Sequence, residues 1–218
     1  MRNYDGDAFV AFSDISGFKE LMKEEERAWS ALDRFYQYGY ELMLNKTELD
    51  GLFVSDCGIV IARDSLELVD RFRSLLSFLK ELNEKMLSHN IMLITSIAYG
   101  HFKYQRRIDF KRMRKKLLFG NAYLHAVIDN MESKPKIQPG QCRLVKNNLP
   151  SRIVELIDNS ENDNILGLIR KRGNDNTHYY FYWNLQTPND IRKFENVYTS
   201  SYNLKYSGML KALKKRNF

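Results

Sequence analysis

Apolar and polar positions change their spacing along this chain in a readable order. Phe9 to Phe12 is a short unbroken apolar run that ends at Asp14, which predicts a buried first strand. Gly17 interrupts it, and Phe18-Lys19-Glu20-Leu21-Met22 begins a helix. Ala28, Trp29, Leu32, Phe35, Tyr36, Gly39, Tyr40 and Met43 then fall at helical spacing, predicting a long amphipathic helix that ends near Asn45. Asp50-Gly51 turns the chain into Leu52-Phe53-Val54, and Ile59 to Ala62 follows Gly58, so a β-hairpin with Asp56 at its tip is expected. Asp64 and Ser65 are expected to cap a second helix, with Leu68, Val69, Phe72, Leu75, Leu76, Leu79, Leu82 and Met86 along one face and Asn90 at its end. Ile91 to Tyr99 reads as the next strand, closed by Gly100. Leu117-Leu118-Phe119 gives a further short strand, and Gly120 opens a helix through Tyr123, Ala126, Val127 and Met131.

The resulting order, β-α-α-β-β-α-β-β-α, contains a split β-α-β arrangement. It predicts an α+β fold, a ferredoxin-like palm with helices on one face of a mainly antiparallel sheet. Residues 1–145 are expected to form the functional domain and residues 146–218 a C-terminal elaboration of it. Pro135 to Gly140 reads as a linker. Beyond it, Cys142 to Val145, Ile165 to Ile169 and Tyr179 to Trp183 look like strands. Asn159 to Asn164 reads as a polar loop and Lys205 to Arg216 as a basic helix. No internal repeat is present.

Length changes this picture little: 218 residues suit one domain with a substantial core. An apolar content of 44% with four prolines excludes a disordered chain. No apolar run is long enough to span a membrane, and the acidic residues near Met1 do not suit a secretory signal. Cys57 and Cys142 are too few and too distant for a disulfide framework, so reduced thiols and a cytoplasmic location are expected. The net charge of +7 suits an anionic partner without naming it.

The chemistry concentrates at two carboxylates. Asp14 ends an apolar strand and is followed at once by a glycine turn; Asp56 sits in a tight turn between two apolar runs. Such a pair can share two divalent ions, one lowering the pKa of an attacking hydroxyl and the other neutralising leaving phosphates. The backbone carbonyl of Ile15 is an expected extra ligand. The amides around Gly17 and Phe18 are expected to hold phosphates, and Gly17 allows their close approach. Either aspartate alone would read as an ordinary turn or cap residue; the two together, in this strand-helix-hairpin order, point to phosphoryl chemistry on a nucleotide.

Phe12-Ser13-Asp14-Ile15-Ser16-Gly17-Phe18 resembles the first metal-binding motif of class III nucleotidyl cyclases, F-S-D-I-x-G-F, at every defined position. Asp56 in its hairpin resembles their second metal-binding aspartate, with Ser55 where the family usually has glycine. Leu118-Phe119-Gly120-Asn121-Ala122-Tyr123 resembles their later strand-to-helix junction. The resemblance covers about the first 145 residues. It implies a homodimer with active sites at the subunit interface and Mg²⁺ or Mn²⁺ as cofactor. It also implies conversion of a nucleoside triphosphate to a 3′,5′-cyclic nucleotide and pyrophosphate. Lys19, directly after Phe18, is a further candidate for holding the phosphates.

Several positions depart from the family. Leu52 and Leu117 stand at its two base-reading positions, where a purine pocket needs buried polar groups to discriminate. Leu124 and Ile128 occupy the places of its transition-state Asn and Arg. The chain is therefore either impaired or uses other donors, for which Lys19, Asn121, Arg106 and Arg107 are candidates. With its Ala8 to Phe12 opening, its Gly120-x-Ala122-Tyr123-x-x-Ala126 helix and Lys205-Tyr206, the chain is similar to the bacterial pyrimidine cyclases of anti-phage signalling. That similarity implies UTP or CTP as substrate and a separate effector that reads the cyclic product.

Two rival readings follow from the same residues. A palm-type oligonucleotide synthase shares the carboxylate logic, although the paired Gly-Gly-Asp signature is missing. A non-catalytic module would use the basic segment from Lys103 to Lys116, with its eight Lys or Arg residues, on RNA. A solvated hairpin arm is the favoured reading of that segment, and nucleic acid is not the expected partner. The four histidines, His89, His101, His125 and His178, show no metal-ligand spacing. Thr177 to Trp183 reads as a core strand.

Overall fold

The computed structural model describes the backbone of residues 1–110 and 113–195 and the side chains of residues 1–106 and 116–191. The helix expected at Lys205 to Arg216, together with Lys205-Tyr206, lies outside the described residues, as does the side chain of Arg107. One mixed α+β unit emerges, built on an eight-stranded sheet that is mainly antiparallel.

The central strand is β1 (Tyr4–Ile15). Its neighbours are β3 (Cys57–Ala62) and β4 (Leu93–Phe110), both antiparallel to it. The edge beyond β3 is β2 (Leu49–Val54), joined to it by the expected hairpin. On the other side β4 is shared: its first half pairs in parallel with β6 (Cys142–Val145), its second half antiparallel with β5 (Met113–Phe119). The sheet continues from β6 through β8 (His178–Phe181) to β7 (Ile169–Arg170).

Residues of β1 alternate between two cores. Phe9, Ala11 and Ile15 face helices α2 (Glu25–Met43) and α3 (Leu68–Leu87), with Phe9 stacked on Phe72 at 4.7 Å. Ala8, Val10 and Phe12 face Ala122 and Ala126 of α4 (Asn121–Glu132). Helices therefore cover both faces of the sheet rather than one. This accounts for the unbroken apolar run of β1, since a strand covered on both sides has no polar face.

Other departures have local causes. Helix α3 starts at Leu68 after Glu67, so Asp64 and Ser65 lie in the preceding turn and cap nothing. Strand β4 runs through Gly100 instead of ending there; its φ of 146° suits glycine, and a Cβ would meet Asn121 Oδ1 at 2.5 Å. The stretch expected as a strand at Ile165 to Ile169 is a 3₁₀ turn at Leu166–Leu168 followed by the two-residue β7. Asp163 Oδ1 accepts the amides of Ile165 and Leu166 at 2.9 and 2.8 Å, which holds the chain in a turn. Helices α5 (Ser151–Asn159) and α6 (Pro188–Glu195) complete the C-terminal part, and α1 (Phe18–Leu21) is a single turn after β1. No described helix is long and apolar enough to cross a membrane.

Candidate active site

The register of β1 against β3 sets Asp14 opposite Cys57, so the β2–β3 turn abuts the end of the central strand. The Ile15 amide donates to the Asp56 carbonyl at 3.0 Å and ties the two segments together. Ser55 adopts φ 53°, the left-handed region, which explains the suitability of glycine at this place in a tight hairpin. From α2, the Tyr36 hydroxyl donates to the Ser55 carbonyl at 2.9 Å. Phe53 packs edge-on against Phe35 at 4.9 Å and seats the hairpin on α2. Gly58 leaves room for this packing, because a Cβ there would lie 2.9 Å from both rings.

Asp14, Asp56 and Cys57 are thereby brought together, with one ligand atom from each within 4.8 Å of the others. The Cys57 thiol donates to Asp14 Oδ1 at 3.4 Å. Burial, reinforced by the charge of Asp56, raises the Asp14 carboxyl from 3.8 to about 6. Burial and then the two aspartates push the Cys57 thiol up to about 12. Two carboxylates crowded into a half-buried corner repel one another, and a divalent cation bound between them would relieve that repulsion. The donor set fits a hard cation held by the two carboxylates, with the thiol as a neutral neighbour.

A cleft of about 480 Å³ opens beside this corner. Asp14, Ser16 and Gly17 form one wall, and Asn130, Lys136 and Gln138 are among the residues of the other. Gly17 takes φ 75° and stands at the start of α1, whose first amides have no intrahelical acceptor. Phe18 is buried in the core, and Lys19 is exposed on the same turn. Asn130 donates through Nδ2 to the Ile94 carbonyl at 3.2 Å and the Phe12 carbonyl at 3.4 Å, joining α4 to the strands beside Asp14. Sequence reasoning missed Asn130, Lys136 and Gln138. A pair of lysines flanking Pro135 directly after a helix is the available signal, and by composition alone the segment reads as a linker.

The remaining candidate residues lie elsewhere in the chain. Leu52 on β2 and Leu117 on β5 are four strand spacings apart, roughly 19 Å across the sheet. Asn121 rests over Gly100, six residues along β4 from the partner of Asp14, or roughly 20 Å. Arg106 is twelve residues beyond Ile94 on β4, roughly 40 Å along the strand, and its amide donates to Asn3. Arg107 shares that distal part of β4. None of Leu117, Asn121 and Arg106 reaches Asp14 within one chain.

No protein-family model and no curated protein matches this sequence. Solved structures match its fold. The adenylyl cyclase CyaB from P. aeruginosa aligns over 83% of this chain and 95% of its own, with a TM-score of 0.53 and 16% identity. The guanylate cyclase domain of RhGC from Catenaria anguillulae, solved in complex with GTP, covers 83% and 97% with a TM-score of 0.58 and 14% identity. A dimeric guanylyl cyclase domain of the RhoGC fusion protein from Blastocladiella emersonii covers 84% and 98%, at a TM-score of 0.59 and 11% identity. The fold is thus that of adenylyl and guanylyl cyclase domains of class III, with its palm-like antiparallel sheet.

Proposed function

We propose that this chain is a nucleotidyl cyclase that forms a 3′,5′-cyclic mononucleotide and pyrophosphate from a nucleoside triphosphate. The observation that carries this reading is the meeting of Asp14 and Asp56 at the end of the central strand of a cyclase-like fold. In the reaction the ribose 3′-oxygen bonds to the α-phosphorus as the bond to the bridging oxygen breaks. The hydroxyl proton passes to solvent and pyrophosphate leaves. Asp14 and Asp56, with the Ile15 carbonyl, would hold two Mg²⁺ or Mn²⁺ ions. When bound, these ions supply charge neutralisation and a lowered hydroxyl pKa. The amides of Gly17 and Phe18, with Lys19, bind the phosphates.

The preferred substrate in this reading is UTP or CTP. Leucines at positions 52 and 117 argue against a purine, because they stand where cyclases of this family hydrogen-bond adenine or guanine, and the sequence similarity to pyrimidine cyclases supports the alternative. A homodimer follows from two features. Leu124, Ile128 and Met131 expose an apolar stripe on α4, 54%, 43% and 66% accessible, with Phe119 beside it. The distal residues Leu117, Asn121 and Arg106 can serve a site only if that site belongs to a second copy. The product would be read by a separate effector in anti-phage defence. Residues 1–145 form the catalytic part in this reading, and residues 146–218 are an elaboration of the same domain.

Mass spectrometry of products from ATP, GTP, CTP and UTP, each incubated with Mn²⁺, tests the proposal. A cyclic pyrimidine nucleotide made by the wild type and absent with Asp14→Asn is the expected result. A cyclic purine nucleotide would overturn the substrate assignment. No product from any triphosphate would overturn the enzyme reading and favour a binding module.

A further inference from the structure

Building on the reading of the cleft as a triphosphate site, we propose that Lys136 contacts substrate phosphate. We further propose that a buried network of Asp129, Arg143, His178 and Asp175 positions it there. Lys136 is exposed, lines the same cleft as Asp14 and Gly17, and its ammonium has no carboxylate partner among the described residues. An unpaired cation facing a metal-binding corner is suited to a polyphosphate rather than to an uncharged ligand.

The segment bearing Lys136 has no regular structure of its own and is held from behind. Arg143 on β6 is fully buried, and its Nη1 donates to the Pro135 carbonyl, one residue before Lys136, at 2.7 Å. Its Nη2 donates to the Asp129 carbonyl at 3.1 Å, to Asp129 Oδ1 at 3.0 Å and to the Ser133 hydroxyl, closing the end of α4. Trp183 Nε1 donates to the Gly140 carbonyl at 2.8 Å and anchors the far end of the segment. Lys136 therefore hangs between two fixed points.

Asp129 in turn is held on three sides. Ser96 on β4 donates to its Oδ2 at 2.6 Å, while Arg143 and His178 Nε2, the latter at 2.7 Å, share Oδ1. The other ring nitrogen of His178 faces Asp175 Oδ2 at 2.9 Å. Asp175 also receives the Tyr180 hydroxyl at 2.8 Å and the Thr177 hydroxyl at 2.7 Å. Arg172 stands over the Tyr180 ring. With a carboxylate at each nitrogen, the imidazole pairs with both Asp129 and Asp175 only as a double donor, its protonated form, with the Thr177 hydroxyl also 2.9 Å from Nδ1. Two carboxylates, one guanidinium and one imidazolium sum to zero in this buried space. Deprotonation leaves a net negative charge there and sets a nitrogen lone pair against Asp175.

Burial opposes the charge on His178, but the hydrogen bonds it donates to Asp129 and Asp175 and the charge of Asp129 outweigh it and raise its pKa above 6.5. A raised histidine contributes stability below its unfolded pKa and loses it as pH climbs through the folded value. The clamp on Pro135 is therefore intact below the folded pKa of His178 and loosens as pH rises through it.

Binding of Mn²⁺–pyrophosphate tests the proposal without reference to the base. Lys136→Ala is expected to weaken it about tenfold or more, as loss of a charge-assisted contact does, and Lys136→Arg to restore most of it. His178→Gln is expected to weaken binding in the wild-type background but hardly at all in the Lys136→Ala background. Its pH profile should also lose an alkaline fall that the wild type shows; pyrophosphate's own ionisation affects both proteins alike. Asp175→Asn, a milder change, should shift that fall to lower pH, and it carries the test where His178→Gln does not fold. Additive effects of the two mutations, or an unchanged pH profile, would overturn the positioning role. Wild-type KM for the triphosphate in Lys136→Ala would refute this proposal and leave the cyclase reading intact. Lys136-dependent pyrophosphate binding without any cyclic product would do the reverse.

Discussion

Replacing Asp14 with asparagine is expected to stabilise the metal-free protein while removing its capacity to bind a divalent ion. The folded-state carboxyl titrates at about 6 against 3.8 for the free group, because it is half-buried and faces Asp56. Folded protein thus holds this proton more tightly than the unfolded chain does, so stability is greatest when Asp14 is protonated and declines as pH rises between those two values. A gap of roughly two pH units corresponds to about 3 kcal/mol at pH 7.5, and partial exposure of the carboxylate reduces this to about 2 kcal/mol. Asparagine keeps the shape and has no charge to desolvate. For a chain of this size the gain corresponds to a melting temperature higher by roughly 4–8 °C. Scanning fluorimetry in EDTA at pH 7.5 and at pH 4 measures it, with the two proteins converging at the lower pH. Adding Mn²⁺ should raise the melting temperature of the wild type and leave the variant unchanged. A variant that melts at or below the wild-type temperature at pH 7.5 would refute the claim that carboxylate repulsion strains this corner.

Phe53→Ala should cost about 2 kcal/mol by leaving a void between Phe35 and Tyr36, read by urea unfolding, and it should weaken Mn²⁺ binding because the hairpin bearing Asp56 loses its seat, read by calorimetric titration. Gly58→Ala should destabilise by about 1–3 kcal/mol through its clash with the same rings, visible as a lower urea midpoint at unchanged slope. Neither cysteine should react with a thiol reagent in the native protein at pH 8, since burial raises both thiols, and both should react after unfolding. Ile128→Lys should turn a dimer into a monomer by light scattering while the circular dichroism spectrum is unchanged.

How much of this was legible in the sequence depended on the period of its apolar residues. The order of elements from β1 to α4 matches the expected one, because Phe35 and Phe72 lie in runs long enough to declare a helix and Asp50-Gly51 and Gly58 frame a hairpin. The two carboxylates were placed correctly at a strand end and a turn for the same reason. Burial on both faces of β1 erased the alternation that would have revealed α4 on the far side. Beyond Gly140 the elements are short: α5 was missed although Ile153 and Ile157 share one face, since nine residues give too few repeats. The turn at Leu166 depends on Asp163, whose side chain captures backbone amides, and apolar patterning carries no record of that. Lys136 was invisible because the segment that bears it is held by Arg143 through the Pro135 carbonyl, a contact eight residues apart in the chain and unrelated to any periodicity.

The placement of β1 between two cores bears on which parts of the molecule open first. Amides of Phe9 to Asp14 are paired on both edges, to β3 and β4, while side chains above and below belong to separate apolar clusters. Local fluctuations that release α4, or that release α2 and α3, each leave the strand gripped by the opposite layer. Its exchange with deuterated solvent should therefore proceed only through global unfolding. The carboxylate that Asp14 contributes is thus carried on the last segment of the chain to let go.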